Sequence, residues 1–142
     1  MTTTEIRTMN ADEDYGFDIA GFIHLEQVLT AAEVEACNRA VDGAAPDEEL
    51  DIPTLLENQV LQGYVEALCG AGYLLDQPPT LISANDGAVA FTAGEPENNR
   101  RLRYICHGEV RVCNGLRVVV ALAPSSAEDG LVLVPATHKR AV

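Results

Sequence analysis

The sequence predicts an α+β protein in which helices come first and a string of short strands follows. Three observations carry this. Thr30 and Glu33 form a helix-start signature ahead of an apolar face at Val34, Cys37 and Val41. Leu55, Leu56, Val60, Leu61, Tyr64, Val65 and Leu68 recur at helical spacing. After Gly72 the hydrophobic period shortens, and brief apolar runs alternate with Pro, Gly and Asn.

Taken in order, residues 1–12 form a polar, flexible tail ahead of a single domain over 13–142, as a length of 142 residues suggests. Gly16 to Leu25 reads as a short extended segment, because Phe17, Ile19 and Ile23 share one parity. A helix follows over 30–42, ended by Gly43, and an acidic loop with Pro46 leads to a second helical region. That region spans 53–69, with Pro53 in its first turn and Gly70 to Gly72 closing it. Expected strands are Tyr73–Leu75, Leu81–Ser83, Ala88–Phe91, Leu102–Cys106, Val110–Cys113, Leu116–Ala123 and Leu131–Val134. His107-Gly108-Glu109 reads as a hairpin turn. The dense apolarity of Leu116–Leu122 and Leu131–Val134 predicts buried neighbouring strands of a sandwich-like or barrel-like sheet, with Val119 intolerant of charge.

Composition narrows the function. Nine basic residues against 22 acidic ones give a net charge of −13. That argues against nucleic acid and against anionic membranes as partners. No apolar run is long enough to span a bilayer, and the first residues lack a signal-peptide plan, so a cytoplasmic protein is expected. Cys37, Cys69, Cys106 and Cys113 form no C-x-x-C pair and read as free thiols. Seven of the nine basic residues lie late, at Arg100, Arg101, Arg103, Arg111, Arg117, Lys139 and Arg140. They read as solvated faces or as a patch for an anionic substrate.

Two stretches carry a family resemblance. One runs from Gly16-Phe17-Asp18 through Leu29-Thr30-Ala31-Ala32-Glu33-Val34. The other runs from Asn114-Gly115-Leu116 through Gly130-Leu131-Val132-Leu133-Val134-Pro135-Ala136-Thr137-His138-Lys139. Together they resemble the phytanoyl-CoA dioxygenase family, whose later signature is Asp/Asn-Gly-hydrophobic followed by Pro-Gly-Ser/Thr-His-Lys/Arg. Ala136 stands where that signature has Gly. The resemblance implies a double-stranded β-helix, jelly-roll-like, that holds Fe(II) and uses 2-oxoglutarate and O₂ to hydroxylate a small acid or lipid-like substrate. Such chemistry needs two histidines and one carboxylate on one face of the iron.

His107-Gly108-Glu109 supplies the H-x-E form, which makes His107 and Glu109 the candidate metal pair. Two alternatives stand beside it. In a second register Phe91-Thr92-Ala93-Gly94 takes the ligand place, with Thr92 where the histidine would be. In a bland reading, favoured by Gly108, the three residues are a hairpin tip and a solvated Glu. His24 reads as a strand histidine, and His138 as a surface turn histidine or a substrate contact. Ser125-Ser126 lacks the surroundings of a nucleophile, and Cys106 and His107 point to opposite sides of a strand. No catalytic residue is assigned.

In the family the distal histidine and the cation for 2-oxoglutarate lie beyond the Pro-Gly-Ser/Thr-His motif. This sequence closes at Val142, so the expectation is an incomplete, truncated β-helix that does not hydroxylate as this chain alone. The alternatives are a non-catalytic binding or interaction domain on the same fold, self-associating through exposed sheet edges, and a fragment without separate function. A reading frame continuing past Val142 into a His-x-Gly/Ser strand would restore the enzyme.

Overall fold

Helix α1 (Ala11–Ala20) begins where Asn10 takes extended backbone and its side chain accepts hydrogen bonds from Asp12 N and Glu13 N. Glu13 completes a capping box by accepting from Asn10 N at 3.0 Å. Asp12, Glu13 and Asp14 in the first turn face the positive end of the helix dipole. Gly21, at φ +84°, ends the helix by donating to Phe17 O. The expected extended segment over 16–25 is therefore helical in its first half. Parity misled because Phe17 is buried while Ile19, on the same parity, is half exposed.

The structure, a computed structural model, describes residues 6–45, 49–82, 103–126, 128 and 130–139. Helix α2 (Ala31–Gly43) has the Thr30–Glu33 capping box, with Cys37 its buried residue. The second helical region divides in two. Helix α3 (Pro53–Leu56) starts on proline, and α4 (Gln59–Cys69) restarts on Asn58, whose side chain accepts from Val60 N and Leu61 N. Buried Tyr64 and Leu68 mark the inner face of α4.

Strands β1 (Tyr104–His107) and β2 (Val110–Cys113) form an antiparallel hairpin around Gly108-Glu109. Gly108 has φ +60° at the first turn position, which a tight hairpin turn of the II′ kind requires. The pairs are Tyr104↔Cys113, Ile105↔Val112, Cys106↔Arg111 and His107↔Val110. This hairpin is the only sheet among the described residues. The fold is thus α+β, a set of helices with one small antiparallel sheet.

Several expected strands take another form. Tyr73–Leu75 and the start of Leu81–Ser83 are irregular, and Ala88–Phe91 lies outside the described residues. Leu116–Ala123 and Leu131–Val134 are also irregular, with Val119 49% and Leu131 63% exposed. A dense apolar run signals a demand for burial, but a strand needs a neighbouring backbone to bond, and these runs have no ladder partner among the described residues. Leu122 O instead accepts from the Asn38 side chain on α2 at 3.2 Å.

The core gathers where α1, α4 and the hairpin meet. Phe17, Leu68, Tyr104 and Cys113 form the buried cluster, with Met9, Ile23, Cys69 and Leu116 against it. The Phe17 and Tyr104 rings meet edge-on at 5.7 Å between centroids. Beside the cluster, Tyr64 Oη donates to Glu13 Oε2 at 2.6 Å, and Arg7 donates to Glu13 Oε1 at 2.7 Å and to Tyr64 Oη at 3.1 Å.

These bonds, the one from Tyr64 first and that from the Asn10 backbone next, hold the Glu13 carboxyl down at about 2. The folded state therefore prefers the ionised form more than the unfolded chain does. That contribution is complete above the ordinary value of 4.5 and drains away as pH falls from there towards 2. Melting temperatures measured across that window should fall more steeply for the unaltered chain than for Glu13→Gln. Parallel curves for the two would contradict the assignment.

Candidate functional site

Asp14, Phe17, Asp18 and Gly21 lie at i, i+3, i+4 and i+7 and share one face of α1 and its cap. The hairpin meets this face. Tyr104, Cys106, Arg111 and Cys113 belong to one side of the two-stranded sheet, because cross-strand partners point the same way and alternate along each strand. Tyr104 Oη donates to Asp18 Oδ1 at 2.8 Å, and Arg111 forms an ion pair with Asp14.

A single 3₁₀ turn, Thr137–Lys139, closes over the same place. Lys139 Nζ donates to Asp18 Oδ2 at 2.9 Å, and Ala136 N donates to Ala20 O at 2.9 Å. The His138 ring lies 4.8 Å from the Tyr104 ring, and its Nε2 is 3.0 Å from Asp18 O. A carbonyl only accepts, so Nε2 carries the proton. Nδ1 is buried without a hydrogen-bond partner among the described residues. It lies so close to Gly21 that a Cβ there would sit 2.3 Å away, and φ +84° independently favours glycine.

Charge outweighs burial at Asp18, whereas the two act together at Tyr104. The Lys139 ammonium first, then the Tyr104 hydroxyl, hold the Asp18 carboxyl below its ordinary value. Burial, followed by the hydrogen bond to Asp18, pushes the Tyr104 phenol up. The cluster therefore holds a carboxylate, a neutral phenol and an ammonium in mutual contact. All three are satisfied by one another, an arrangement that docks the C-terminal turn.

Late basic residues thus serve as internal counter-ions: Arg111 and Lys139 neutralise the acidic face of α1. Arg100, Arg101 and Arg140 lie outside the described residues.

His107 and Glu109 sit at the opposite end of the hairpin from Tyr104 and Cys113. Both are exposed, His107 on the side of the sheet turned away from α1 and Glu109 in the turn. His24 is exposed as well. Among the described residues, no group of three or more His, Cys, Asp or Glu side chains gathers to hold a metal ion. The described donors do not make up the facial triad that iron requires. Thr92 and its neighbours lie outside the described residues.

The sequence reading missed Asp18 and Tyr104, and nothing local marks a contact between residues this far apart along the chain. The helical phase of α1 was readable from Asn10, Glu13 and Gly21, and it would have set Asp14, Phe17 and Asp18 on one face. His138, expected on the surface, is half-buried between Gly21 and Tyr104. Among the described residues, no helix is long and apolar enough to cross a membrane. Comparisons with family models, curated proteins and solved structures gave no match to this chain.

Ala136 adopts φ +64°, a left-handed conformation that L side chains enter at a cost of roughly 1–2 kcal/mol. Ala136→Gly should therefore stabilise the fold by about 0.5–1 kcal/mol, net of the entropy that glycine adds to the unfolded chain. Urea denaturation of the pair measures this. A variant less stable than the original would show that the turn does not hold that conformation in solution.

Proposed function

We propose that this chain is a phytanoyl-CoA dioxygenase-like domain, related to the jelly-roll-like double-stranded β-helix. In this reading it works as a binding or interaction module and is not an iron- and 2-oxoglutarate-dependent hydroxylase by itself. The observation that carries the non-catalytic reading is the donor set at the hairpin tip. His107 and Glu109 are exposed there, with no third donor gathered to them among the described residues. The likeness itself is supported by the Pro135–Lys139 stretch, where Ala136 takes a glycine-like conformation at the place of the family's glycine.

The interaction reading is supported by apolar surface. Val110 and Val112 on the hairpin are exposed, and so are Val118, Val119 and the run from Leu131 to Val134. Among the described residues both strands of the sheet are edges, and an edge with apolar neighbours offers pairing to another backbone. Self-association of this chain through that surface follows, and sedimentation velocity at rising concentration should show the monomer giving way to larger species. A monomer persisting across the range would remove this part of the proposal.

Anaerobic Fe(II) titration with 2-oxoglutarate present tests the catalytic half. Two exposed donors should bind weakly, without a stoichiometric end point, and His107→Ala should change little. Tight one-to-one binding abolished by His107→Ala would overturn the non-catalytic reading.

A further inference from the structure

The thiols of Cys69 and Cys113 face each other across the junction of α4 and the hairpin, with their sulfurs 4.0 Å apart. Cys69 is the last residue of α4, and Cys113 the last of β2. The Cys69 thiol points at Cys113 Sγ, whose own hydrogen turns onward to Gly115 O at 3.5 Å. Both residues line a cleft of about 650 Å³ whose walls also include Met9, Asp14 and Arg111. Cys37, by contrast, is fully buried, and Cys106 is exposed.

We propose that Cys69 and Cys113 are a redox pair that a hydroperoxide converts to an intramolecular disulfide, fastening the end of α4 to the end of β2. A disulfide needs its sulfurs at about 2.0 Å, so the two must close about 2 Å from van der Waals contact. Both residues end their elements, where side-chain rotation and small backbone shifts supply such a movement.

The order of events follows from exposure. Cys69 is half-buried and opens to the cleft, whereas Cys113 is only 7% exposed. Burial, and then the neighbouring Cys69, push the Cys113 thiol up to about 12, which keeps it protonated. Cys69 is therefore the attacking sulfur. Its thiolate forms an S–O bond with the peroxide as the O–O bond breaks, and the released alkoxide or hydroxide takes up a proton. The resulting sulfenic acid then meets Cys113. The S–S bond forms, the S–O bond breaks, and the departing hydroxide leaves as water with the proton of the Cys113 thiol. Two electrons pass from the sulfur pair to the peroxide.

Treatment of the full chain with a small molar excess of hydrogen peroxide tests this. Remaining thiols are then blocked with N-ethylmaleimide under denaturing conditions, and the digest is mapped by mass spectrometry. The expected product is a monomer carrying a Cys69–Cys113 linked peptide, two hydrogens lighter than the separate peptides and cleaved by dithiothreitol. Closing the chain between these positions constrains the unfolded state, so Tm should rise by about 5 °C or more and fall back on reduction. Cys69→Ser should lose both the link and the shift. The map of the unaltered chain decides the matter even if that variant folds poorly. Separate maleimide adducts on Cys69 and Cys113, over-oxidised Cys69 without a link, or a Cys106 intermolecular bond as the sole product would each overturn the proposal.

Discussion

One turn of α1 gathers the polar contacts that dock the hairpin and the C-terminal turn, with α4 meeting the hairpin beside it at Leu68 and Cys69, and that turn exists because Asn10 fixes where the helix begins. The capping box sets the helical phase, and the phase puts Asp14, Phe17 and Asp18 on a single face. Phe17 is the apolar anchor. Burying a side chain of that size contributes about 2–3 kcal/mol, whereas a half-exposed ion pair contributes about 0–1 kcal/mol. Burial therefore holds the hairpin and the C-terminal turn to α1. The ion pairs Asp14–Arg111 and Asp18–Lys139 decide which way round they dock.

The uneven charge of the chain gains a structural meaning from this. The acidic first half would repel itself, and the late basic residues are placed where two of its carboxylates need partners. Arg111 reaches Asp14 from a strand, and Lys139 reaches Asp18 from a turn. A side chain already holding an internal carboxylate is poorly suited to bind an outside anion. The anionic-substrate reading of the basic segment therefore loses Arg111 and Lys139 as candidates. Arg103 and Arg117 remain exposed.

Legibility differed from element to element for definite reasons. Helix α2 was readable because Thr30 and Glu33 are local, and a cap acts through backbone donors three residues away. Pro53 and the periodic leucines gave the second helical region, but Asn58 was read as part of a continuous helix although its side chain starts a new one. The hairpin was readable from Gly108 between two short apolar runs. Helix α1 was misread because Phe17, Ile19 and Ile23 mimic strand parity, while the signals that outrank parity lie at its ends, in Asn10, Glu13 and Gly21. Leu116–Ala123 and Leu131–Val134 were misread because apolarity reports on burial and says nothing of a bonding neighbour. The Asp18–Tyr104–His138 cluster was illegible because its members come from three distant segments.

Register then divides the hairpin into two unlike ends. Pairing Tyr104 with Cys113 puts an aromatic ring and a thiol together at the base, on the side that meets α1 and α4. The same pairing places His107 opposite Val110 at the tip, on the outer side. A slip of one residue would exchange the two sides and bring His107 towards the acidic face of α1. Phe17 opposes such a slip, since its ring needs Tyr104 against it. The interaction that builds the core is therefore also the one that keeps His107 apart from the carboxylates of α1, while Glu109 lines the same cleft as Asp14. At the base of the hairpin the Cys69 and Cys113 sulfurs come within 4.0 Å of each other beside that cleft, a meeting that the H-x-E spelling at the tip does not signal.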